Sequence, residues 1–479
     1  MSPAPNEPAA VTQLNTVVKT YDIRGVVGET LTEEIVTAVA AAFVDELDAA
    51  GGDVVVGHDM RESSPGFADA FARGAQARGA NVVSIGLCST DQSYFASGSL
   101  NAPAVMFTAS HNPARYNGMK LSRAGAQGLS METGLAMVRD RAAAILTDGL
   151  DPVDAVGSYR ELDVLAGYAS YLRSLVDLRG IRPVTIVVDA GNGMGGLTVP
   201  AVLGQESGLP ALPITVVPLY FELDGTFPNH EANPLDPANL VDLQRAVLEH
   251  HADLGLAFDG DADRCFVVDE KGQVVTPSAV AAIVALREIH RARAAQPEAD
   301  IVVLHNLITS RVVAETIEAA GASAVRTRVG HTLIKDAMRE TGAVFGGEHS
   351  AHYYFRDFWS ADNGMLAAMH LLAEYGHQDR PLSALSAQYT PYPMSGEINS
   401  TVADVPAAFT RIVEAFTGRG EFDELDGLTV TGTTALNEPF WWFSVRSSNT
   451  EPLLRLNVEA ANAPTMQRIR DEVLALIRE

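Results

Sequence analysis

Two cysteines, Cys88 and Cys265, are all that 479 residues contain. A disulfide framework is excluded, and the chain suits a reducing compartment, the cytoplasm. Both thiols read as small apolar core residues. No run of about 18 apolar residues occurs, so no membrane span is expected. Positive charge is scarce: 34 Lys and Arg stand against 60 Asp and Glu, a formal charge of −26. A nucleic-acid partner would need a basic footprint, and none is visible. An anionic ligand stays open if its few cationic partners converge in one cleft. The start, MSPAPNEPAA, has no basic segment before an apolar core, so it reads as a short disordered lead rather than a signal peptide. DAGNGMGG (189–196) lacks the Gly-Lys-Ser/Thr ending of a P-loop and reads as a tight strand-to-helix turn. No G-x-S-x-G surrounds Ser110, so a hydrolase elbow is not supported.

Hydrophobic residues make up 47% of the chain and charged residues 20%, enough for sizeable cores. Short β-branched runs bounded by Gly or Asp read as buried strands. They recur in one order. DVVVG (53–57), NVVSIG (81–86) and PAVMFTASHNP (103–113) alternate with helical stretches. TIVVDAGNG (185–193), ITVVPLY (214–220) and LGLAFDGDADR (254–264) repeat the order, with a helix at 240–250. IVVLHN (301–306), ASAVRTRVG (322–330) and AVFGGEHSAH (343–352) repeat it again. Three α/β copies with largely parallel strands follow. Ligands in such sheets bind beyond the carboxyl ends of strands. The third strand of each copy ends in TASHNP, DGDADR or GEHSAH, which argues for one shared cleft. After about residue 378 the pattern becomes a smaller α+β domain. There WWFSVRSSNTEPLLRLNVEA (441–460) reads as two strands around a polar loop.

DGDADR presents Asp259, Asp261 and Asp263 at alternate positions, a donor set for a hard divalent cation. Glu270 falls at the twelfth position of an EF-hand, but Arg264 replaces the glycine needed at the sixth, and both flanks read as strands. Arg264 beside a metal loop suggests a bound anion. RSSNTEP (446–452) is either an oxyanion grip or a polar hairpin tip. GEHSAH offers Glu348, Ser350 and His352, too few ligands for a metal but suited to sugar hydroxyls. Arg24 in YDIRG, and His331 and Lys335 in VGHTLIK, read as solvated charges or as anion ligands. A serine near a divalent cation and several cationic groups suits phosphoryl transfer, which is mostly positioning and charge neutralisation.

Taken in order, YDIRG, TASHNP, DGDADR, GHTLIK, GEHSAH and RSSNTEP resemble the α-D-phosphohexomutase family over nearly the whole chain, most closely its bacterial phosphomannomutase branch. The resemblance implies four domains around a central cleft. Three consecutive similar mixed-sheet α/β domains would span 1–158, 159–272 and 273–378, with a smaller α+β domain over 379–479. It implies a phosphoserine at Ser110, with Arg24, His111 and Lys120 at the transfer site. Mg²⁺ would be held by Asp259, Asp261, Asp263 and a phosphate oxygen on Ser110. Arg264 would lie beside it, and His331 would contact substrate. Glu348, Ser350 and His352 would meet the sugar. Arg446, Ser448, Asn449 and Thr450 would grip the phosphate that is not transferred. The implied reaction interconverts mannose 6-phosphate and mannose 1-phosphate, with hexose 1,6-bisphosphate as intermediate and activator. Glucose or glucosamine phosphates, or a non-catalytic sugar-phosphate sensor, are the alternatives. The expected partner is a phosphohexose, with no nucleic acid and no membrane, and the chain acts as a monomer or homodimer. Many relatives read GEMSGH where this chain has His349 and Ala351, a Thr-Pro pair near Ser89-Thr90-Asp91-Gln92, or a lysine near Asn306. Those differences bear on sugar preference rather than on the reaction.

Overall fold

A computed structural model describes residues 8–150, 155–432, 439–447 and 453–479. Four sheets follow one another along the chain. The first three share a central parallel trio. In domain I, Asp53–His58 lies between Asn81–Leu87 and Ala104–Phe107. In domain II, Val184–Asp189 lies between Ile214–Leu219 and Leu254–Phe258. In domain III, Val302–Asn306 lies between Ser323–Thr327 and Phe345–Gly347. The sequence suggests largely parallel sheets, but each third strand returns antiparallel, as Tyr116–Arg123, Cys265–Asp269 and Tyr353–Phe355. TASHNP, DGDADR and GEHSAH are therefore hairpin tips. Each carries one non-glycine residue in the left-handed region: Ser110 at φ 49°, Ala262 at φ 62° and Ala351 at φ 66°. Domain IV is a fully antiparallel five-stranded sheet.

A strand belongs to the neighbour it bonds, whatever its place in the chain. Tyr159–Glu161 pairs with Asn81–Leu87 of the first sheet, and Val274–Val275 closes the second sheet, so both overrun the boundaries expected from sequence. The presumed lead is helical from Ala9: Ala9–Val17 buries Val11, Leu14 and Val17. That short apolar stripe, rather than intrinsic propensity, stabilises it. Strands flank DGDADR on both sides, as expected, and Glu270 binds Ser383 instead of a cation. DAGNGMGG is the expected turn into the helix Gly195–Val202. Both cysteines are buried and free. Among the described residues no helix is long and apolar enough to cross a membrane.

Domains I and IV each have their own apolar core, whereas domains II and III share one. An aromatic seam joins the first three. Phe95 of domain I packs on Tyr168 and Tyr171 of domain II and on Trp359 of domain III. Tyr171 stacks on Trp359 with centroids 5.2 Å apart. Gly98 makes this approach possible, because a Cβ there would lie 2.2 Å from the Trp359 ring. Overpacking of this kind costs about 1–3 kcal/mol. Gly98→Ala should therefore lower the thermal midpoint and quench or shift Trp359 fluorescence, and an unchanged melt would contradict a shared seam.

Candidate active site

The serine loop is held from below by a residue the sequence reading passed over. Arg61 is almost wholly buried. Its guanidinium donates to the carbonyls of Ser110 (2.8 Å), Asn112 (2.7 Å), Pro113 (3.1 Å) and Tyr116 (3.0 Å), and its Nε to Asp59 (3.2 Å). All five N–H groups are used, which forces the loop to turn its carbonyls inward and its Ser110 side chain outward. The Ser110 hydroxyl lies 2.9 Å from Asp259 Oδ2 and 3.2 Å from His111 Nδ1. Arg264 donates to the same Nδ1 at 2.6 Å. Burial, then Arg264 and Arg24, holds the His111 ring well below its ordinary value. His111 is thus a neutral acceptor at Nδ1. Arg24 donates to Asn112 Oδ1 at 2.5 Å and to Asp22 at 2.6 Å.

DGDADR reaches the serine loop because residue 260 is glycine. A Cβ there would lie 2.4 Å from the Ser110 carbonyl. Met194 N–H of the DAGNGMGG turn donates to Gly260 O at 2.9 Å and buttresses the loop. Asp259, Asp261 and Asp263 are all buried and bring carboxylate oxygens within 4.8 Å of one another. Lys120 Nζ lies 2.6 Å from both Asp261 Oδ2 and Asp263 Oδ2. Burial opposes its charge, but the two carboxylates hold the ammonium well above its ordinary value. Burial raises both aspartates too, and Lys120 outweighs it. Asp259 is pushed by burial to about 6, with Arg264 at 2.8 Å opposing. Asp261 Oδ1 and Asp263 Oδ1 have no hydrogen-bond partner among the described residues. Two orphaned buried oxygens, with a third carboxylate and a hydroxyl alongside, fit a hard divalent cation. Thr90, at the start of the helix Thr90–Leu100, donates to Asp261 Oδ2 at 2.5 Å.

The third tip carries Glu348. It accepts from Asn306 Nδ2 (3.2 Å), Tyr354 OH (3.0 Å), Ser350 Oγ (3.2 Å) and Gly330 N (3.4 Å), and pairs with His352 Nδ1 at 3.2 Å. Burial raises its carboxyl, but His352 and these donors bring it to about 2. His352 is raised in turn, with burial opposing and Glu348 prevailing, and its Nε2 lies 3.9 Å from Asp263. His331 begins the helix His331–Thr341 and packs against Tyr21, which precedes Arg24, with rings 5.5 Å apart. Burial, then Lys335, keeps the His331 ring neutral, near 4. Lys335 is no solvated charge: it is buried, 2.5 Å from Asp362 and over the Tyr94 ring at 3.9 Å.

In domain IV, Arg446 lies opposite Arg455 on the paired strands Trp441–Ser447 and Leu453–Ala460. Among the described residues Arg446 makes only long ion pairs, 3.5 Å to Glu397 and 3.8 Å to Asp426. Both Nε atoms lack partners among the described residues. Two adjacent, weakly committed guanidinium groups suit an oxyanion. Ser448, Asn449 and Thr450 lie outside the described residues. Asp426 also accepts from Val329 N at 3.0 Å, next to the His331 turn.

Among the described residues, YDIRG, TASHNP, DGDADR, GHTLIK and GEHSAH are thus joined by direct contacts, and Arg446 reaches the GHTLIK turn through Asp426 and Val329. Sequence reasoning missed Arg61, Thr90 and Asp362, which act on residues distant in the chain and leave little local signal, and it missed Tyr354, which lies only six residues from Glu348. Only DMR directly after a strand end marked Arg61. Removing one partner of a buried ion pair costs about 3–5 kcal/mol. Arg61→Ala should lose about that much stability in chemical denaturation, and adding Asp59→Asn should restore part of it. Full additivity of the two losses would show that Arg61 is not paired as described.

Comparison with known proteins follows the same order. Domains I, II and III of the phosphoglucomutase/phosphomannomutase type, each described as alpha/beta/alpha, match residues 15–143, 166–272 and 276–392. The C-terminal domain of that type matches residues 397–476. A Xanthomonas campestris protein named for phosphohexose mutases is 40% identical over 465 residues, 96% of this chain and 98% of its own. The phosphomannomutase of Escherichia coli is 36% identical over 97% of this chain and 99% of its own. A crystal structure of a phosphoglucomutase/phosphomannomutase family protein from Burkholderia thailandensis superposes with a TM-score of 0.83 at 30% identity, covering 97% of each chain. Four matched domains in one order, with relatives 36% and 40% identical over nearly the whole chain, place this chain in the phosphoglucomutase/phosphomannomutase family.

Proposed function

We propose that the chain is a phosphomannomutase, interconverting mannose 6-phosphate and mannose 1-phosphate through a phosphoserine at Ser110. It would feed GDP-mannose synthesis in the cytoplasm. The observation that carries this is Ser110 Oγ, aimed 2.9 Å from Asp259 in a buried carboxylate cluster that has orphaned oxygens. Phosphorylation would add about −1.5 to −2 charge and three acceptor oxygens there. Arg24, Lys120 and Arg264 are the cations nearest to receive it. Asp259, Asp261 and Asp263 would hold Mg²⁺, which supplies charge neutralisation when bound.

A free hydroxyl of the hexose monophosphate attacks phosphorus, its O–P bond forms, and the bond to Ser110 Oγ breaks. The substrate hydroxyl loses a proton and Oγ ends protonated. The acceptor nearest that proton is Asp259 Oδ2, 2.9 Å from Oγ, because the Nδ1 lone pair of His111 is taken by Arg264. The resulting 1,6-bisphosphate turns over and returns its other phosphate to Ser110, so added hexose 1,6-bisphosphate should activate dephosphorylated enzyme. Arg446 grips the phosphate that stays. Glu348 and Ser350 meet O3 and O4, which exchange places when the ring flips, while His349, Ala351 and His352 are the neighbours left to sense C2. Mannose and glucose share those hydroxyls and differ only at C2, and the relative at 40% identity is named for phosphohexoses in general. A side-by-side coupled assay of mannose 1-phosphate and glucose 1-phosphate tests the reading, and no turnover of either would overturn it.

Ser110→Ala should lose more than about 10³-fold in kcat, the scale of removing a nucleophile, while still binding mannose 1-phosphate. Intact-mass measurement should find a phosphate on wild-type protein only. Excess chelator should abolish activity and Mg²⁺ restore it, without change in the far-ultraviolet spectrum. Full activity in chelator would refute the cation assignment.

A further inference from the structure

Glu459 is a fully buried carboxylate that the reaction does not use. It lies on Leu453–Ala460 in domain IV, opposite Trp442 in the register. It accepts from Trp442 Nε1 at 2.5 Å on its own sheet. Its other contacts cross to domain III. It accepts from the Ser310 hydroxyl and, at 3.0 Å, from Arg311 N. Ser310 caps the helix Arg311–Ala319, so a carboxylate of one domain completes the helix start of another. Arg311 meanwhile stacks over Phe440 of domain IV at 4.3 Å.

The contacts continue inward. Ser310 N donates to Ser278 Oγ at 3.0 Å. Ser278 Oγ lies 2.8 Å from His349 Nδ1. His349 sits between Glu348 and Ser350 on the sugar-facing tip. At the other end, Trp442 shares a strand with Arg446 four residues on, and residues i and i+4 of a strand face the same way. One hydrogen-bonded chain therefore runs from the hydroxyl-binding tip of domain III to the phosphate-binding strand of domain IV. The two domains have separate cores, and beside this chain they are tied by Asp426 on Val329, Asp423 with Arg326, and Arg311 over Phe440.

We propose that Glu459 is a positioning residue, which pins the Arg446 strand to domain III and, through Ser310, Ser278 and His349, to the hydroxyl-binding tip. Both ends of a hexose phosphate then meet one rigid unit. The inference rests on the mutase reading, since it assigns Arg446 and Glu348 to one substrate. Such positioning acts on binding in ground and transition states alike, so it moves KM rather than kcat.

The test compares Glu459→Ala, Glu459→Gln and Ser278→Ala with wild type, by mannose 1-phosphate turnover and by calorimetric binding. Glu459→Ala should raise KM and Kd by about tenfold or more while kcat stays within about threefold. Glu459→Gln should recover most of the loss, because its amide carbonyl still accepts from Arg311 N. Ser278→Ala should raise KM by about threefold, and adding it to Glu459→Ala should cost nothing further, because members of one network are not additive. Unchanged KM in Glu459→Ala, a fall in kcat alone, or additive losses in the double variant would overturn the network. If Glu459→Ala does not fold, Ser310→Ala, which removes the hydroxyl that Glu459 accepts from, takes its place, and adding Ser278→Ala to it should again cost nothing further. A wild-type enzyme that turns over no hexose phosphate overturns the function instead, whereas normal wild-type turnover with unchanged variants overturns the network alone.

Discussion

The cleft depends on the cost of burying Asp259, Asp261 and Asp263 together. Each ion taken from water costs several kcal/mol unless it is paired and hydrogen-bonded. Their own loop supplies only Arg264. The rest comes from other domains: Lys120 and Thr90 from domain I, and His352 from domain III. Compensating the acidic tip therefore requires three hairpin tips to converge. The scarcity of cations in a chain of net charge −26 sharpens this. Arg61, Lys120, Arg264 and Lys335 are buried or nearly so, each beside a buried carboxylate.

One hairpin geometry delivers three chemistries. Each tip follows the third strand of a parallel trio, and each bends through a single left-handed residue. The bend turns side chains of each tip toward the other tips: a hydroxyl in domain I, carboxylates in domain II, a carboxylate with an imidazole in domain III. At the third bend this chain has Ala351 at φ 66°, where many relatives of the resembling family have glycine. A left-handed alanine costs roughly 1–2 kcal/mol, so the tip is held by its contacts rather than by local preference. The Glu348 carboxylate, with donors from five residues, is that restraint.

Rigidity is graded across the molecule. Domains II and III share a core, and the Phe95–Tyr171–Trp359 seam adds domain I. Domain IV joins through polar contacts: Glu459 on the Ser310 cap, Asp426 on Val329, and Tyr392 on Glu315. Polar interfaces are weaker and more reversible than continuous apolar ones. Ser110 and the three aspartates thus sit in the tightly packed part, and Arg446 in the part that is joined by specific hydrogen bonds.

The sequence by itself determined the repeated α/β order, the strand ends that carry function, and the residue types at each tip. Strand runs such as DVVVG and LGLAF declare themselves through local burial, and carboxylates at alternate positions in DGDADR declare a cation site through spacing. Both signals are local, so a single stretch of chain suffices to read them. Only the tertiary structure decided that each tip is a hairpin, that Tyr159–Glu161 joins the first sheet, and that Lys335 is buried against Asp362. It alone revealed Arg61 gripping the serine loop, Thr90 on Asp261, and Glu459 capping a helix of another domain. Each of these is a contact between residues far apart in the chain, from Arg61 with Ser110 to Thr90 with Asp261. Local propensity and spacing carry no information about such partners, because burial and charge compensation are settled only when distant segments compete for the same space.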